Sequence, residues 1–427
     1  MNSVQLKQYV ASGNLDAVLT DLYGADKVSY QRERYIEAID GFVENYGDAE
    51  DLRLFSVPGR SEISGNHTDH NHGKVLAASI NLDIIAVARK TDSGYVNIKS
   101  KGYDADNVKI ADIKVDPDKF FTSFAVIEGM CEGLESSGYK IGSFDAYTTS
   151  DVLKGSGLSS SAAFEVMVGN IMRTLYENDV DDVTIAKLAQ YAENKYFGKP
   201  CGLMDQTACA VGGFISIDFA DPKNPIVGKP AFDLSALGYS LCIVNTGGNH
   251  ADLNADYASV PAEMKAVAAH FGKEVLREVS LDQIVSAIPE LREKTGDRAI
   301  MRAIHFVNEN ARVTAQAKAL ENGDLSAFFD GVRASGNSSF KYLQNVYTVK
   351  NVEEQGLSLA LAVTEDFLAT LDMPCACRVH GGGFAGTIQA FMPESATAEY
   401  AKLMDKVFGE GATYVLRIRN KGAVCVY

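Results

Sequence analysis

Apolar side chains recur at helical spacing over the first fifty residues. Leu6 and Val10 mark one short helix, Leu15, Val18, Leu19 and Leu22 a second, and Tyr35, Ile36, Ile39 and Phe42 a third from about Tyr30 to Tyr46. At Leu52 the pattern changes to strand-like Leu-Arg-Leu-Phe-Ser-Val, which ends in Pro58-Gly59-Arg60, a turn signal with a cation at its tip. A polar stretch follows, then Val75 to Val87, apolar enough for a buried strand. Residues 91 to 118 alternate and carry glycine and Asp-Asn turn signals, which predicts edge strands of a meander. Helices are predicted at Phe120–Leu134, from Ala162 to Leu175 and at Thr184–Tyr196, with a half-buried strand at Ser143–Thr149. After the loop-like Asp221–Pro225 come a strand at Leu241–Asn245 and helices near 258–271, 281–287 and 299–321. The strand Thr387–Phe391, a helix Ala396–Phe408 and strands at Tyr414–Ile418 and Ala423–Val426 close the chain. This alternation predicts a two-domain α/β or α+β protein: a helical segment 1–50 packing on a first domain 51–220, then a second domain 221–427.

Composition narrows the function classes. A length of 427 residues with 46% hydrophobic content supports a sizeable core. A net charge of -16 argues against nucleic acid or an anionic membrane as the main partner, although a few local N–H groups and a metal ion can still hold phosphates. The seven cysteines have no C-x-x-C spacing and read as reduced thiols. The start MNSVQLKQYV has neither a basic nor an apolar signal region, and no uncharged apolar run approaches a membrane span, so a cytoplasmic protein without an obligate protein partner is expected.

Chemistry concentrates in a few segments. Gly155–Ala163, GSGLSSSAA, joins the predicted strand to a helix N-terminus, and its N–H groups, hydroxyls and helix dipole suit a polyphosphate; a serine-capped helix after a flexible turn explains it equally well. It lacks the lysine of a Walker A loop. Asn66, His67, Thr68, Asp69, His70, Asn71 and His72 crowd one loop between hydrophobic segments. The histidines with Asp69 resemble part of a metallohydrolase cluster, but the other four histidines show no ligand spacing, so hydrogen bonding to a polar substrate is the better reading. Asp205 sits among apolar and small residues; it reads as an N-cap or, more sharply, as a partly desolvated base. Gly381, Gly382, Gly383 and Gly386 imply backbone passing close to a ligand or to another backbone.

Taken together, PGRSEISGNHTDHNHG, GSGLSSSAA and HGGGFAG, in that order, resemble the three motifs of the kinase superfamily that groups galactokinase, homoserine, mevalonate and phosphomevalonate kinases, with galactokinases the nearest group. AENKYFGKPCGLMDQ (192–206), NTGGNHADLNADY (245–257) and HFVNENARV (305–313) agree further. The resemblance implies mixed sheets with helices on one side, an active site in the cleft between domains, and transfer of the ATP γ-phosphoryl to the anomeric hydroxyl of a hexose. Carried over by position, Asp205 and Arg60 would be catalytic, while Gly155, Ser156, Gly157, Leu158, Ser159, Ser160 and Ser161 would hold ATP. Ser161 and Glu193 would hold Mg2+, and Asn66, His67, Thr68, Asp69 and Tyr257 would bind the sugar. The chain departs from the pattern where galactokinases have a sugar-contacting Glu and this chain has Asn66, and again at His70, His380 and Ala385. An amide does not repel an acidic group, so a uronic acid or N-acetylgalactosamine stands beside galactose as a candidate substrate. A silent sugar and ATP sensor is the non-catalytic alternative, disfavoured because Ser159 to Ala163, Arg60 and Asp205 are all present.

Overall fold

The computed structural model describes residues 1–152, 157–248 and 253–427. In chain order the elements are α1 (Ser3–Ala11), α2 (Asp16–Tyr23), α3 (Val28–Tyr46), β1 (Arg53–Ser64), β2 (Lys74–Lys90), β3 (Tyr95–Ser100), β4 (Ala105–Lys109), α4 (Ser123–Ser136), β5 (Phe144–Ser150), α5 (Ser160–Leu175), α6 (Asp182–Tyr191) and α7 (Met204–Val211). They continue with β6 (Phe214–Asp218), β7 (Ile226–Gly228), β8 (Tyr239–Asn245), α8 (Asn254–His270), α9 (Leu281–Ser286), α10 (Ile288–Lys294), α11 (Asp297–Glu321), α12 (Leu325–Ser338), α13 (Gly356–Leu368), β9 (Ala376–Val379), β10 (Thr387–Pro393), α14 (Thr397–Phe408), β11 (Thr413–Leu416) and β12 (Val424–Cys425). Two compact units result. One comprises Met1–Arg60, Ser79–Gly213 and Arg419–Tyr427, the other Ser61–Ala78 and Phe214–Ile418.

In the first unit the strand order is β12-β1-β2-β5-β3-β4, mixed because β3 runs parallel to β5 while β2 runs antiparallel to it. Strand alternation aims Ile85 and Val87 of β2 at the apolar face of the N-terminal helices, where they are buried with Leu6, Val10, Leu19, Tyr35, Ile39 and Phe42. Helices α4 to α7 pack on one another. Pro58-Gly59-Arg60 is not the turn its residue types predict, because all three lie inside β1. Gly59 is required by a backbone crossing: a Cβ there would stand 2.6 Å from the Leu158 carbonyl oxygen. The Arg60 N–H donates to that same carbonyl at 3.1 Å.

In the second unit β11-β8-β10-β9 form an antiparallel sheet. Leu357 and Leu361 of α13 and Tyr400 and Met404 of α14 share a core with Val244, Ile388 and Ala390. Phe328 of α12 packs edge-on against Phe391, and Phe329 packs against it at a tilt. Helices α8 to α11 build a separate core around Val260, Met264, Ile300 and Phe306. The start of β2, Lys74–Ala78, pairs antiparallel with β6. All seven cysteines are free, and among the described residues no helix is long and apolar enough to cross a membrane.

Candidate active site

The first unit carries one cluster around the start of α5. Gly155 and Ser156 lie outside the described residues; Gly157 to Ser161 lead into the helix. Ser159 is left-handed, φ 59°, and makes no capping bond. Its hydroxyl donates instead to Asp205 Oδ2 at 2.5 Å. The serine-cap reading therefore fails at Ser159. Asp205 is no cap either: it sits in the first turn of α7, after Leu203 in the cap position. Arg60 Nε donates to Asp205 Oδ1 at 2.7 Å and Nη2 to Oδ2 at 2.6 Å, a bidentate pair. Arg60 Nη1 donates to the Gly157 carbonyl. Burial pushes the Asp205 carboxyl up, but the Arg60 charge and the bonds from Arg60 and Ser159 outweigh it and hold it below the ordinary carboxylate value.

Glu193 lies where the predicted helix 184–196 loosens into a π-helical turn, Ala192–Phe197, after α6. Gln206 Nε2 donates to Glu193 Oε2 at 2.8 Å and to Glu165 Oε2 at 3.1 Å, bridging two buried carboxylates. Burial first, then repulsion from Glu193, raises the Glu165 carboxyl well above its usual range. Lys199 Nζ approaches Glu193 Oε1 at 3.4 Å. Beside them opens a cavity of about 610 Å³, lined among others by Tyr103, Phe121, Ser160, Ser161, Glu165 and Phe197. Glu165 and the aromatic residues were not foreseen. The four-residue step from Ser161 to Glu165, which puts both on one helical face, was the available signal for the first; the aromatic residues come from separate loops and carry none.

These oxygen donors suit a hard divalent cation. Gln206 Oε1 is buried without a partner beside the two carboxylates. Among the described residues no group of three or more His, Cys, Asp or Glu is placed to hold an ion, so substrate phosphates and water would complete its shell.

The second unit carries the polar loop. Its ends are fixed by α11: His305 Nε2 bonds the Asn66 carbonyl at 3.0 Å, and Glu309 Oε1 accepts the Gly65 N–H at 2.9 Å. This explains HFVNENARV, whose i, i+4 pair His305 and Glu309 faces the loop. Thr68 is fully buried and donates to the carbonyls of Gly65 (2.8 Å) and Lys74 (2.7 Å). Asn66 is 1% exposed, with Nδ2 donating to Glu62 Oε1 (2.8 Å) and the Gly381 carbonyl (2.7 Å) and Oδ1 accepting from Asn345 Nδ2 (2.7 Å). His67, half-buried at φ 57°, bonds the Gly382 carbonyl through Nε2 at 2.9 Å, and among the described residues no metal-binding group includes it with Asp69 and His70. Asp69 is partly exposed. Tyr257 donates to the Gly383 carbonyl at 2.8 Å and packs edge-on against Phe384. The glycine-rich segment thus links β9 to β10, with three successive carbonyls receiving side chains of the loop, Asn345 and Tyr257. Of the two close approaches its glycines implied, backbone meeting backbone is realised at Gly383, where a Cβ would stand 2.0 Å from the Asn345 carbonyl oxygen.

Known proteins match both clusters. The profile of the GHMP kinases N terminal domain matches residues 124–213, and the galactokinase galactose-binding signature matches residues 40–90. The chain is 30% identical over 382 residues to the galactokinase of Streptomyces coelicolor, covering 88% of this chain and 94% of that protein. It is also 30% identical to the galactokinase of Lactobacillus helveticus over 372 residues, 84% of this chain and 91% of that one. A crystal structure of Lactococcus lactis galactokinase complexed with galactose superposes with a TM-score of 0.74 at 25% identity, over 90% of this chain and 98% of that one. A mevalonate kinase structure, at 15% identity and TM-score 0.61, shares the fold. The chain belongs to the galactokinase family of GHMP kinases.

Proposed function

We propose that this chain is a galactokinase, transferring the γ-phosphoryl group of ATP to the anomeric hydroxyl of galactose to give galactose 1-phosphate and ADP. The observation that carries the chemistry is the bidentate Arg60–Asp205 pair beside the N-terminus of α5, in a chain aligned along 88% of its length with a galactokinase. Phosphoryl transfer asks a protein mainly for positioning and charge stabilisation. The N–H groups at the start of α5 and the hydroxyls of Ser160 and Ser161 receive phosphate oxygens, while the Ser159 hydroxyl stays on Asp205, and the aromatic-lined cavity receives the nucleoside. Ser161, Glu193 and Glu165 would hold Mg2+, which supplies charge neutralisation across the phosphates when bound. Asp205 accepts the hydrogen bond of the anomeric hydroxyl; the C1 oxygen bonds to phosphorus as the bond to the ADP oxygen breaks. Because Arg60 keeps the Asp205 carboxyl acidic, Asp205 orients the hydroxyl first and receives its proton late, when attack has made that oxygen acidic. Arg60 also offsets charge developing on the transferred group. His67, Asp69 and Tyr257 hold sugar hydroxyls, while Thr68 shapes the loop from within. The test is ADP release by purified protein with ATP, Mg2+ and a panel of hexoses and uronic acids: galactose supports turnover, and turnover of galacturonate alone would overturn the substrate assignment.

A further inference from the structure

Two carboxylates from separate elements meet out of water beside the cavity that Ser161 and Glu165 help to line. Glu165 stands on α5, one turn after Ser161, and Glu193 on the π-helical turn that follows α6; they are 1% and 4% exposed. What lies between them is an amide. Gln206 is also 1% exposed, and its Nε2, which carries two hydrogens, stands 2.8 Å from Glu193 Oε2 and 3.1 Å from Glu165 Oε2, with Cys201 Sγ at 3.6 Å. Lys199 Nζ is 3.4 Å from Glu193 Oε1 on a side chain 60% exposed, too loose to set the spacing of the acids. At the opposite end of the amide, Gln206 Oε1 is buried without a hydrogen-bond partner among the described residues. A buried acceptor left unpaired costs stability, so the amide is oriented for its carboxylates and not for the fold. Turning it over would set an oxygen against two acids. Gln206 directly follows Asp205 in the first turn of α7, so successive residues of one helix hold the Arg60 and Ser159 contacts and the two carboxylates.

We propose, on the reading of Ser161, Glu193 and Glu165 as donors to Mg2+, that Gln206 is the positioning residue of that site: it fixes the separation of the two carboxylates and thereby selects Mg2+ over Ca2+. Ionised carboxylates this close repel, and without the amide between them each turns away to its own rotamer. The spacing matters because the two ions differ in what they require. Mg2+ takes near-octahedral oxygen donors at about 2.0–2.1 Å, whereas Ca2+ accepts roughly six to eight at about 2.3–2.6 Å in looser geometry. A pinned pair suits the smaller ion and penalises the larger. A slack pair loses that discrimination.

The experiment compares the full chain with Gln206→Met, which keeps the length and removes both donors, and Gln206→Asn, whose shorter arm reaches no more than one of the acids. Mn2+ is the probe, with a non-hydrolysable ATP analogue present, and water-proton relaxation reports the ion held on the protein; Mg2+ and Ca2+ are then titrated as competitors. Gln206→Met is expected to bind Mn2+ about 10–100-fold more weakly, the scale on which residues that support a metal ligand act. The ratio of Ca2+ to Mg2+ needed to displace Mn2+, high in the wild type, falls in the same variant, and Gln206→Asn lies between. By ADP release, the Mg2+ concentration for half-maximal rate rises in parallel, while the galactose KM at saturating Mg2+ moves far less. Unchanged Mn2+ affinity and competitor ratio in Gln206→Met, with galactose still turned over, would overturn the role of Gln206 and leave the kinase reading standing. A loss of kcat or galactose affinity with no change in Mn2+ binding would do the same, since a merely structural residue acts in that way. Should Gln206→Met fail to fold, wild-type Mn2+ affinity and competitor ratio in Gln206→Asn remove the assignment. Wild-type turnover of galactose with no Mn2+ held on the protein would remove the cation site and the role of Gln206 together. Intact Mn2+ binding that depends on Gln206, without turnover of galactose, would strike the galactokinase reading alone.

Discussion

At Asp205, the residue types of a helix cap and of a catalytic carboxylate are the same, and only the partner separates the two roles. The pair with Arg60 rules out the cap: an acid that two guanidinium nitrogens hold below its ordinary value is not serving a helix N–H, and the proposed catalytic role is what remains to be tested. Asp205→Asn keeps the shape, cannot take the hydroxyl proton and leaves Arg60 without its counter-charge. It is expected to lower kcat by about 10²–10⁴ while galactose affinity changes far less, measured by ADP release and calorimetry on the same preparation. His305 makes a second prediction. Burial lowers its imidazole from 6.5 to about 4, against the opposing pull of Glu309. The folded state therefore binds fewer protons than the unfolded chain between pH 6.5 and 4. The stability from neutral His305 is complete above about pH 6.5 and is lost as pH falls toward 4, a change of about 3 kcal/mol. Urea unfolding at pH 7, 5.5 and 4.5 should show this slope, and His305→Gln should be less stable at pH 7 yet flatter across the window. The pairing of Arg60 with Asp205 was legible because their residue types and order carry the motif. The engagement of Asn66 was not, since its partners Asn345 and Gly381 are remote in sequence.

Among the elements, those with a strong period were readable and those shaped by a neighbour were not. The apolar spacing of residues 1–50 marks α1, α2 and α3 because an amphipathic face is a local property of sequence. By contrast β1 runs straight through Pro58-Gly59-Arg60, because the crossing with Leu158 demands a glycine there for contact and not for a turn. The π-helical turn that carries Glu193 is equally hidden, since AENKYF has an ordinary helical composition. The turn between β9 and β10 gives the sharpest test of contact against conformation. Gly383 has φ 78°, and an added Cβ would meet the Asn345 carbonyl oxygen at 2.0 Å. Gly94 has φ 80° but open space around the same position. Gly94→Ala is expected to cost only the left-handed strain, about 1 kcal/mol. Gly383→Ala adds displacement of Asn345, and with it the anchor of Asn66, so it should cost more than about 2 kcal/mol and raise the KM for galactose. Denaturant melts and steady-state kinetics of both variants separate the two effects, and equal losses would show that backbone strain alone matters.

For the molecule as a whole, what ties the first unit together is a buried charge network joining segments hundreds of residues apart. Asp83 on β2 is completely buried and receives Arg34 Nη1 at 2.6 Å, Tyr23 OH at 2.5 Å and Arg419 Nη1 at 3.3 Å, with Ser56 Oγ also donating to it. One carboxylate thereby connects α2, α3, β1, β2 and the last segment of the chain. No sequence pattern announces such a knot, because its members share neither spacing nor motif, and it explains why helices with no chemistry of their own precede the kinase motifs. Burial alone would push the Asp83 carboxyl up, but Arg34 and Arg419 outweigh it and hold it below its ordinary value. Its contribution is therefore present above the unfolded carboxylate value, about 3.9, and is lost only as pH falls below that, outside the window in which His305 acts. Asp83→Ala leaves two buried guanidinium groups without their counter-charge, and breaking a buried pair in this way costs about 3–5 kcal/mol. The loss should appear as earlier urea unfolding at pH 7. It should also appear as faster amide exchange in α2 and α3, the helices that Tyr23 and Arg34 fasten to β2, before exchange rises in α11. If Asp83→Ala unfolds at the wild-type urea concentration, the N-terminal helices are held by their apolar face alone, and Leu6, Ile39 and Phe42 become the residues whose truncation must carry the cost.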